Sequence, residues 1–491
     1  MGARRALLWT AVSAVIPGCA HLRTGRRWSG GIILACYIVL LAAAGIGAAM
    51  VSGDVVSGAR IVVQGQWLLT AAGVAFAVAV LWMTVIIHSW VITKPPRNGW
   101  GTRLTAGFIV AVLCVAVASP AALVMRSSYT AYDTLSTVFG PEPDAPHDAS
   151  DPWDGAERIT MLLLGGDSGD NRYGLRTDSM IAASIDVDTG EVVLVSLPRN
   201  LENVPFPPGT ELALRYPEPR GFDRLLNEVY QTVAENPAEL AIDPTVENPA
   251  ADTLKRVIGN AIGLDLDYYG LVDLQGFEDL IDALGGIDVY IEEPIIYGER
   301  EEGILEAGYQ HLDGDEALWY GRSRVNSDDY TRMGRQGCLI KYVTEQVDPT
   351  QVLTSFQELA GATKRTLQTD IPQSKVPHLL DLAEMATNAD MQTLQLSPPQ
   401  VNTANPDWQR ISELVDEAVR DQEDTETGTN AAPSPAQPSG DASPSQPSPT
   451  QSQNEDDRTA WQRYTGSDEA SPTSPGRQVG EEATSLDKLC P

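Results

Sequence analysis

Three apolar runs without a charged residue, Trp28 to Val51, Trp67 to Ile92 and Leu104 to Met125, occupy the first quarter of the chain. At 1.5 Å per residue, each is long enough as a helix to cross a hydrocarbon core of about 30 Å. Leu7 to Leu22 is also apolar, but Pro17-Gly18 interrupts it, which predicts an interfacial or re-entrant helix rather than a further span. Residues 1–27 are thus read as an N-terminal segment and 28–126 as three transmembrane helices. A polar linker, 127–154, follows.

Beyond it the apolar positions change period. ITMLLLG (159–165), SMIAASIDV (179–187) and EVVLVSLP (191–198) are short, apolar runs rich in β-branched residues, bounded by turn residues, and Asp188-Thr189-Gly190 is a hairpin connection. Leu225 to Glu235 and Ala250 to Ile262 have helical spacing. They are followed by strand-like YYGLVDL (268–274), a helix GFEDLIDALGG (276–286) closed by a glycine pair, and strand-like IDVYIEE (287–293). Helices are expected over Cys338 to Val347, Thr350 to Thr366 and Lys375 to Ala389, with a last strand over Thr393 to Leu396. Strands alternating with helices predict an α/β domain with a mixed sheet over 155–421. From 422 to 480 the composition is Pro, Ser, Thr, Gln and acid, which predicts disorder, and 481–491 ends in LDKLCP, a peptide able to anchor.

Charge divides the chain the same way. Residues 1–130 carry ten Lys or Arg against Asp54 alone, whereas the remainder carries 24 against 65 acids. Arg4, Arg5, Arg23, Arg26 and Arg27 precede the first run, and Lys94, Arg97 and Arg103 join the second to the third. The positive-inside rule therefore places the N-terminus in the cytoplasm and everything after Arg126 outside. An acidic exported part repels phosphate backbones, so nucleic acid is excluded as a partner. Its two cysteines, Cys338 and Cys490, either form a disulfide or leave Cys338 as a small buried residue.

Against this acidic background Arg322, Arg324, Arg332 and Arg335 crowd into fourteen residues. Guanidinium forks match the paired oxygens of phosphates. In extended backbone Arg322 and Arg324 would share a face, and Arg332 and Arg335 would share one on a helix, so two pairs could converge on a diphosphate. The bland alternative is a set of surface salt bridges to Asp328 and Asp329. Two further polar clusters lie at strand ends: Asp167, Asp170, Arg176 and Asp178 in one, Arg199 and Asn200 in the other. Asp167 and Asp178 suit a hard cation such as Mg²⁺, whereas Asp170 reads as turn chemistry.

The motifs LLLGGDSG, RTDSM, LVSLPRN, VDLQGFEDLIDALGGIDVYI, AGYQHLDGDEALWYGRSR and SDDYTRMGRQ, in this order over Ile159 to Leu396, resemble the LytR-CpsA-Psr proteins of bacterial cell-wall assembly. The resemblance implies a three-layer α/β/α domain with a hydrophobic cleft for a polyprenyl chain. It implies Asp167 and Asp178 as Mg²⁺ ligands, with Mn²⁺ as a substitute, and Arg176, Arg199, Arg322, Arg324 and Arg332 as pyrophosphate clamps. Gln336 would close the site. Asn200 stands where the family has an aspartate, which leaves the orientation of Arg199 open. Actinobacterial members are similar in pairing a cysteine after RQ with one near the C-terminus, which favours Cys338 with Cys490.

The implied activity is transfer of a polyprenyl-pyrophosphate-linked glycopolymer to a peptidoglycan sugar hydroxyl, at the membrane lipid surface, with Asp178 or Asp329 as base. The same residues would serve a pyrophosphatase that uses water. A membrane-tethered, non-catalytic binder of wall polymer would need the arginines but not Asp167 and Asp178.

Overall fold

The computed structural model describes residues 3–53, 65–95, 99–140, 151–167, 175–298, 303–346, 367–427, 477–478, 480 and 482–490. The expected helix over Thr350 to Thr366, Asp170 and the tail from 428 to 476 lie outside the described residues. The chain divides into two compact units, the first containing Met1–Pro143 and the second most of the remaining residues.

In the first unit three helices, Arg27–Gly53, Gly65–Thr93 and Trp100–Val138, are long and apolar enough to cross a membrane. The last continues well past Met125, where a linker was expected. Residues 126–138 contain neither Pro nor Gly, so nothing stops the helix before Phe139-Gly140. The N-terminal segment is two helices, Ala3–Val15 and Cys19–Arg23, and Gly18 between them has φ +97°. A side chain there would also strike the Gly30 carbonyl. The first of these helices packs on Gly65–Thr93, with the Ser13 and Ser89 hydroxyls 2.9 Å apart and Trp82 Nε1 donating to the Ala14 carbonyl at 3.0 Å.

The second unit is built on seven strands: β1 (Arg158–Asp167), β2 (Arg176–Asp186), β3 (Val192–Ser196), β4 (Tyr268–Asp273), β9 (Leu367–Thr369), β10 (Met391–Gln395) and β11 (Thr484–Ser485). Their order is β11-β10-β3-β2-β1-β4-β9. The β1/β4 and β3/β10 pairs are parallel and the others antiparallel, so the sheet is mixed. Alternate side chains enter opposite cores. Met180, Ala182, Val193 and Val195 face one with Leu254, Ile258 and Val415, and Ile181, Ala183, Val192 and Leu194 face the other with Ile281, Tyr320 and Leu339. Burial on both faces is why β3 reads as a continuous apolar run. The architecture is the expected α/β/α sandwich.

One helical layer contains α2 (Pro249–Ile262) and α7 (Trp408–Thr427), with the short α1 (Val229–Glu235) beside them. The other contains α3 (Leu274–Leu284), α4 (Gly314–Arg322), α5 (Asp329–Gln346) and the terminal α8 (Leu486–Leu489). An α6 (Val376–Ala386) precedes β10. The start of α3 is set by Asp273, whose side chain accepts from Gly276 N, and its end by Gly285 at φ +89°. IDVYIEE does not join the main sheet as its pattern suggested. Ile287–Ile291 (β5) pairs instead with β8 (Gly308–Leu312), and β6 (Ile295–Tyr297) pairs with β7 (Gly303–Leu305), as two small ribbons. Packing also continues past residue 421: Gln422 is buried, accepting from Arg158 Nη2 at 3.0 Å.

Candidate functional site

Because β1 and β3 run parallel and β2 runs against both, the end of β1, the start of β2 and the exit of β3 meet at one edge of the sheet. That edge carries Asp167, Arg176 with Asp178, and Arg199. The pairing register shifts between Gly165 and Gly166, and a Cβ on Gly165 would come within 2.9 Å of the Ser179 Cβ. The two glycines therefore permit a bulge that re-aims Asp167.

α4 and α5 bring the remaining residues to this edge. A capping box starts α4, in which Asp313 accepts from Glu316 N at 3.0 Å and Glu316 accepts from Asp313 N at 3.4 Å. Arg322 is the last residue of α4 and Arg324 lies in the following loop, so the two do not alternate along a strand as expected. Asp328 then caps α5 by accepting from Thr331 N at 2.7 Å. Gly321 lets α4 and α5 approach, since a Cβ there would meet Leu339 Cδ1 at 2.7 Å. Gln336 fastens both to the sheet, donating to the Gly321 carbonyl at 3.1 Å and accepting from the Ser179 hydroxyl at 2.8 Å.

Three guanidiniums gather on one carboxylate. Asp329 Oδ1 lies 3.1 Å from Arg332 Nε, 3.4 Å from Arg199 Nη2 and 3.5 Å from Arg324 Nη1, while Asp329 Oδ2 accepts from Arg332 Nη2 at 3.2 Å. Arg199 Nη1 also donates to Asp178 Oδ1 at 2.9 Å, and Arg332 Nη1 to the Asp178 carbonyl at 3.2 Å. Arg322 pairs with buried Asp167 at 3.3 Å and lies over the Trp319 ring. Burial raises the Asp178 carboxyl, but the charge and hydrogen bond of Arg199, the Asn227 amide and the Arg332 charge outweigh it and hold the group below the usual carboxylate range. Burial likewise raises Asp329, and Arg332, Arg199 and Arg324 override it in the same direction. Both carboxylates are ionised at neutral pH. Burial, then the neighbouring Arg199, lower the Arg324 pKa.

Not every expected residue joins this cluster. Arg335 is 4% exposed and turns inward, donating to Ser327 Oγ at 2.8 Å and to the Ser323 carbonyl, with burial first among the causes that push its pKa down to about 10. It supports the loop that carries Arg324 and is closed off from a ligand. Arg176 is exposed and donates to Gln231 Oε1 at 3.5 Å. Asn200 does not orient Arg199: its amide donates to Thr403 Oγ1 at 3.3 Å, and its buried Oδ1 has no hydrogen-bond partner among the described residues. The residue that does share this work is Asn227, 5% exposed, whose amide donates to Asp178 Oδ1 at 3.2 Å. Its only mark in the sequence is a lone amide in the apolar run LLNEVY.

Among the described residues no three His, Cys, Asp or Glu side chains form a metal-binding group. β1 and β2 bring Asp167 and Asp178 to this edge, while Asp273 at the end of β4 is engaged as the cap of α3. Such a pair fits Mg²⁺, which takes one or two carboxylates and completes its shell with water and phosphate oxygens. On the face of the second layer Cys338 of α5 is joined to Cys490, just after α8.

The fold and the site thus define an α/β/α domain with an arginine-rich cluster at the strand ends. The chain belongs to the LytR_cpsA_psr family, whose model matches residues 127–423. It is 25% identical over 239 residues to the "Biofilm regulatory protein A" of Streptococcus mutans, covering 46% of this chain and 53% of that one. It is also 25% identical over 289 residues to the polyisoprenyl-teichoic acid–peptidoglycan teichoic acid transferase TagU of Oceanobacillus iheyensis, covering 58% of this chain and 81% of the relative. Of the first two relatives, the chain therefore spans about half the length of one and four fifths of the other. Among solved structures, TagV of B. subtilis is similar at 20% identity and a TM-score of 0.38, over 52% of this chain and 94% of that one.

Proposed function

We propose that this protein is a phosphotransferase that moves a glycopolymer from a polyprenyl-pyrophosphate carrier to a sugar hydroxyl of peptidoglycan. The observation that carries the reading is the gathering of Arg199, Arg324 and Arg332 on Asp329 at the strand ends, with Arg322 on Asp167 beside it. Three guanidiniums facing the two carboxylates Asp178 and Asp329 leave net positive charge for a diphosphate. Family membership and the transferase name of the TagU relative support the same reading.

In this chemistry the acceptor hydroxyl oxygen attacks the phosphorus that bears the glycan. Its bond to the bridging oxygen breaks, polyprenyl phosphate leaves, and the hydroxyl proton passes to a carboxylate. The arginines stabilise charge growing on the leaving phosphate, and Arg322, stacked on Trp319, presents its fork from the rim of the site. Mg²⁺ held by Asp167 and Asp178 would neutralise charge on the phosphate oxygens. We place the N-terminus in the cytoplasm and the domain outside, from the basic residues around the spans and the disulfide.

The test is to incubate the full chain, purified in detergent, with a labelled lipid-pyrophosphate sugar, with and without peptidoglycan fragments. Label should move to peptidoglycan, and Arg322→Ala and Arg324→Ala should each cut transfer about 10²- to 10³-fold with the fold intact. Arg→Lys should be poor, since an ammonium lacks the fork. Release of label to water alone would make the protein a pyrophosphatase, and tight binding without turnover would make it a binder.

A further inference from the structure

The C-terminal segment returns to the site from beyond the Pro- and Ser-rich stretch. Its first described residue, Arg477, is largely buried and bonds through Nη1 to Asp328 Oδ2, with its guanidinium 5.9 Å above the Tyr330 ring. Asp328 is the residue that caps α5: its Oδ1 accepts from Thr331 N at 2.7 Å, and its carbonyl accepts from Arg332 N at 3.2 Å. Arg477 thus holds the second oxygen of the cap on which the first turn of α5 is built, and that turn carries Asp329 and Arg332. Next to it Gln478, 3% exposed, exchanges hydrogen bonds with Gln395, the last residue of β10 at the same edge of the sheet. From there the segment is fixed independently by β11 on β10, by the fully buried Leu486 and by Cys490 on Cys338.

We propose that Arg477 is a positioning residue for the anion site, acting through Asp328 on the placement of Asp329 and Arg332. The assignment rests on the reading of that site as a pyrophosphate site. A largely buried guanidinium bonded to a capping carboxylate selects one rotamer of Asp328, and with it one setting of the turn in which Arg332 reaches Asp178 and Asp329. The segment itself stays in place without Arg477, because the disulfide and Leu486 hold it.

The test uses the full chain with its disulfide intact and inorganic pyrophosphate as the probe in titration calorimetry. Arg477→Gln should weaken binding about fivefold, the lower end of ordinary coupling between sites, with the melting temperature near that of the wild type. Arg477→Lys should recover most of the affinity. The Asp328→Asn/Arg477→Gln double variant should lose no more than the worse single variant, because both act through one bond. Wild-type affinity in Arg477→Gln, beside a clear loss in Arg322→Ala, would overturn the positioning role alone, as would losses in the double variant that simply add. Unchanged affinity in Arg322→Ala as well would remove the pyrophosphate reading and the proposal with it.

Discussion

Replacing Cys338 and Cys490 together by alanine tests how the terminal peptide is held. The bond closes a loop of sequence separation 152, and both residues are buried, Cys338 fully. Chain-entropy arithmetic for a loop of that size gives about 5 kcal/mol at 25 °C, and compact unfolded chains bring the measured value toward 2–5 kcal/mol. The surrounding contacts do not replace it. The Lys341–Asp487 pair at 3.2 Å has a mostly exposed aspartate, and β11 contributes two residues. With about 2–4 °C per kcal/mol for a domain of this size, the double variant should melt about 5–15 °C below the wild type by calorimetry of the non-reduced protein. Wild type treated with reductant should melt close to the double variant, the residue being the small volume lost at Cys338. Two free thiols in mass spectrometry of the non-reduced protein, or coincident melting of wild type and variant, would refute the reasoning.

Asp329→Asn leaves three arginines with one fewer counter-charge and should destabilise the domain by about 1–3 kcal/mol while tightening pyrophosphate binding, measured by urea denaturation and calorimetry. Because Asp178 and Asp329 have depressed pKa values in the folded state, their contribution is present above the unfolded value of about 4 and lost as the pH falls through the lower folded values. The urea midpoint should therefore fall below about pH 4, less steeply in Asp329→Asn. External protease on intact protoplasts should degrade the second unit, and its survival would sink the three-span orientation.

Much of this was legible because local chemistry and tertiary packing agree. The hairpin at Asp188-Thr189-Gly190 forms as its residues suggest: Asp186 Oδ1 accepts from both Asp188 N and Thr189 N at 2.9 Å, and Gly190 takes φ +79°. The central strands, apolar at consecutive positions, are buried on both faces. Periodicity alone misplaces side chains. Arg322 and Arg324 looked like neighbours on a strand, but the capping box at Asp313-Glu316 starts a helix that ends at Arg322. Arg335 looked like a ligand residue because nothing in a sequence separates a guanidinium facing solvent from one bonded to a buried Ser323 carbonyl. IDVYIEE has an ordinary strand pattern, and only long-range pairing with β8 decides which sheet it joins. Asn227 and Arg477 act on residues 49 and 149 positions away, a distance over which composition and spacing are silent.

The sequence leaves Asp178 and Asp329 as equal candidates for the base, and their surroundings separate them. Asp329 spends both oxygens on guanidiniums, Oδ1 on three and Oδ2 on one, so it serves as the counter-ion that spaces the arginines. Asp178 concentrates its partners on Oδ1, where Arg199 and Asn227 both donate. Its pKa is depressed in the free protein, which makes it a weak base there. A bound diphosphate changes this, because its negative charges compete for Arg199 and Arg332 and remove the interactions that hold Asp178 down. With no divalent cation on Asp178, the carboxyl should therefore titrate higher in the substrate complex than in the free protein. The acid limb of kcat should lie at higher pH than that of kcat/KM, and should persist in Asp329→Asn. Asp178→Asn should abolish the limb along with most of the rate. A limb that survives in Asp178→Asn and vanishes in Asp329→Asn would reverse the assignment of the two carboxylates.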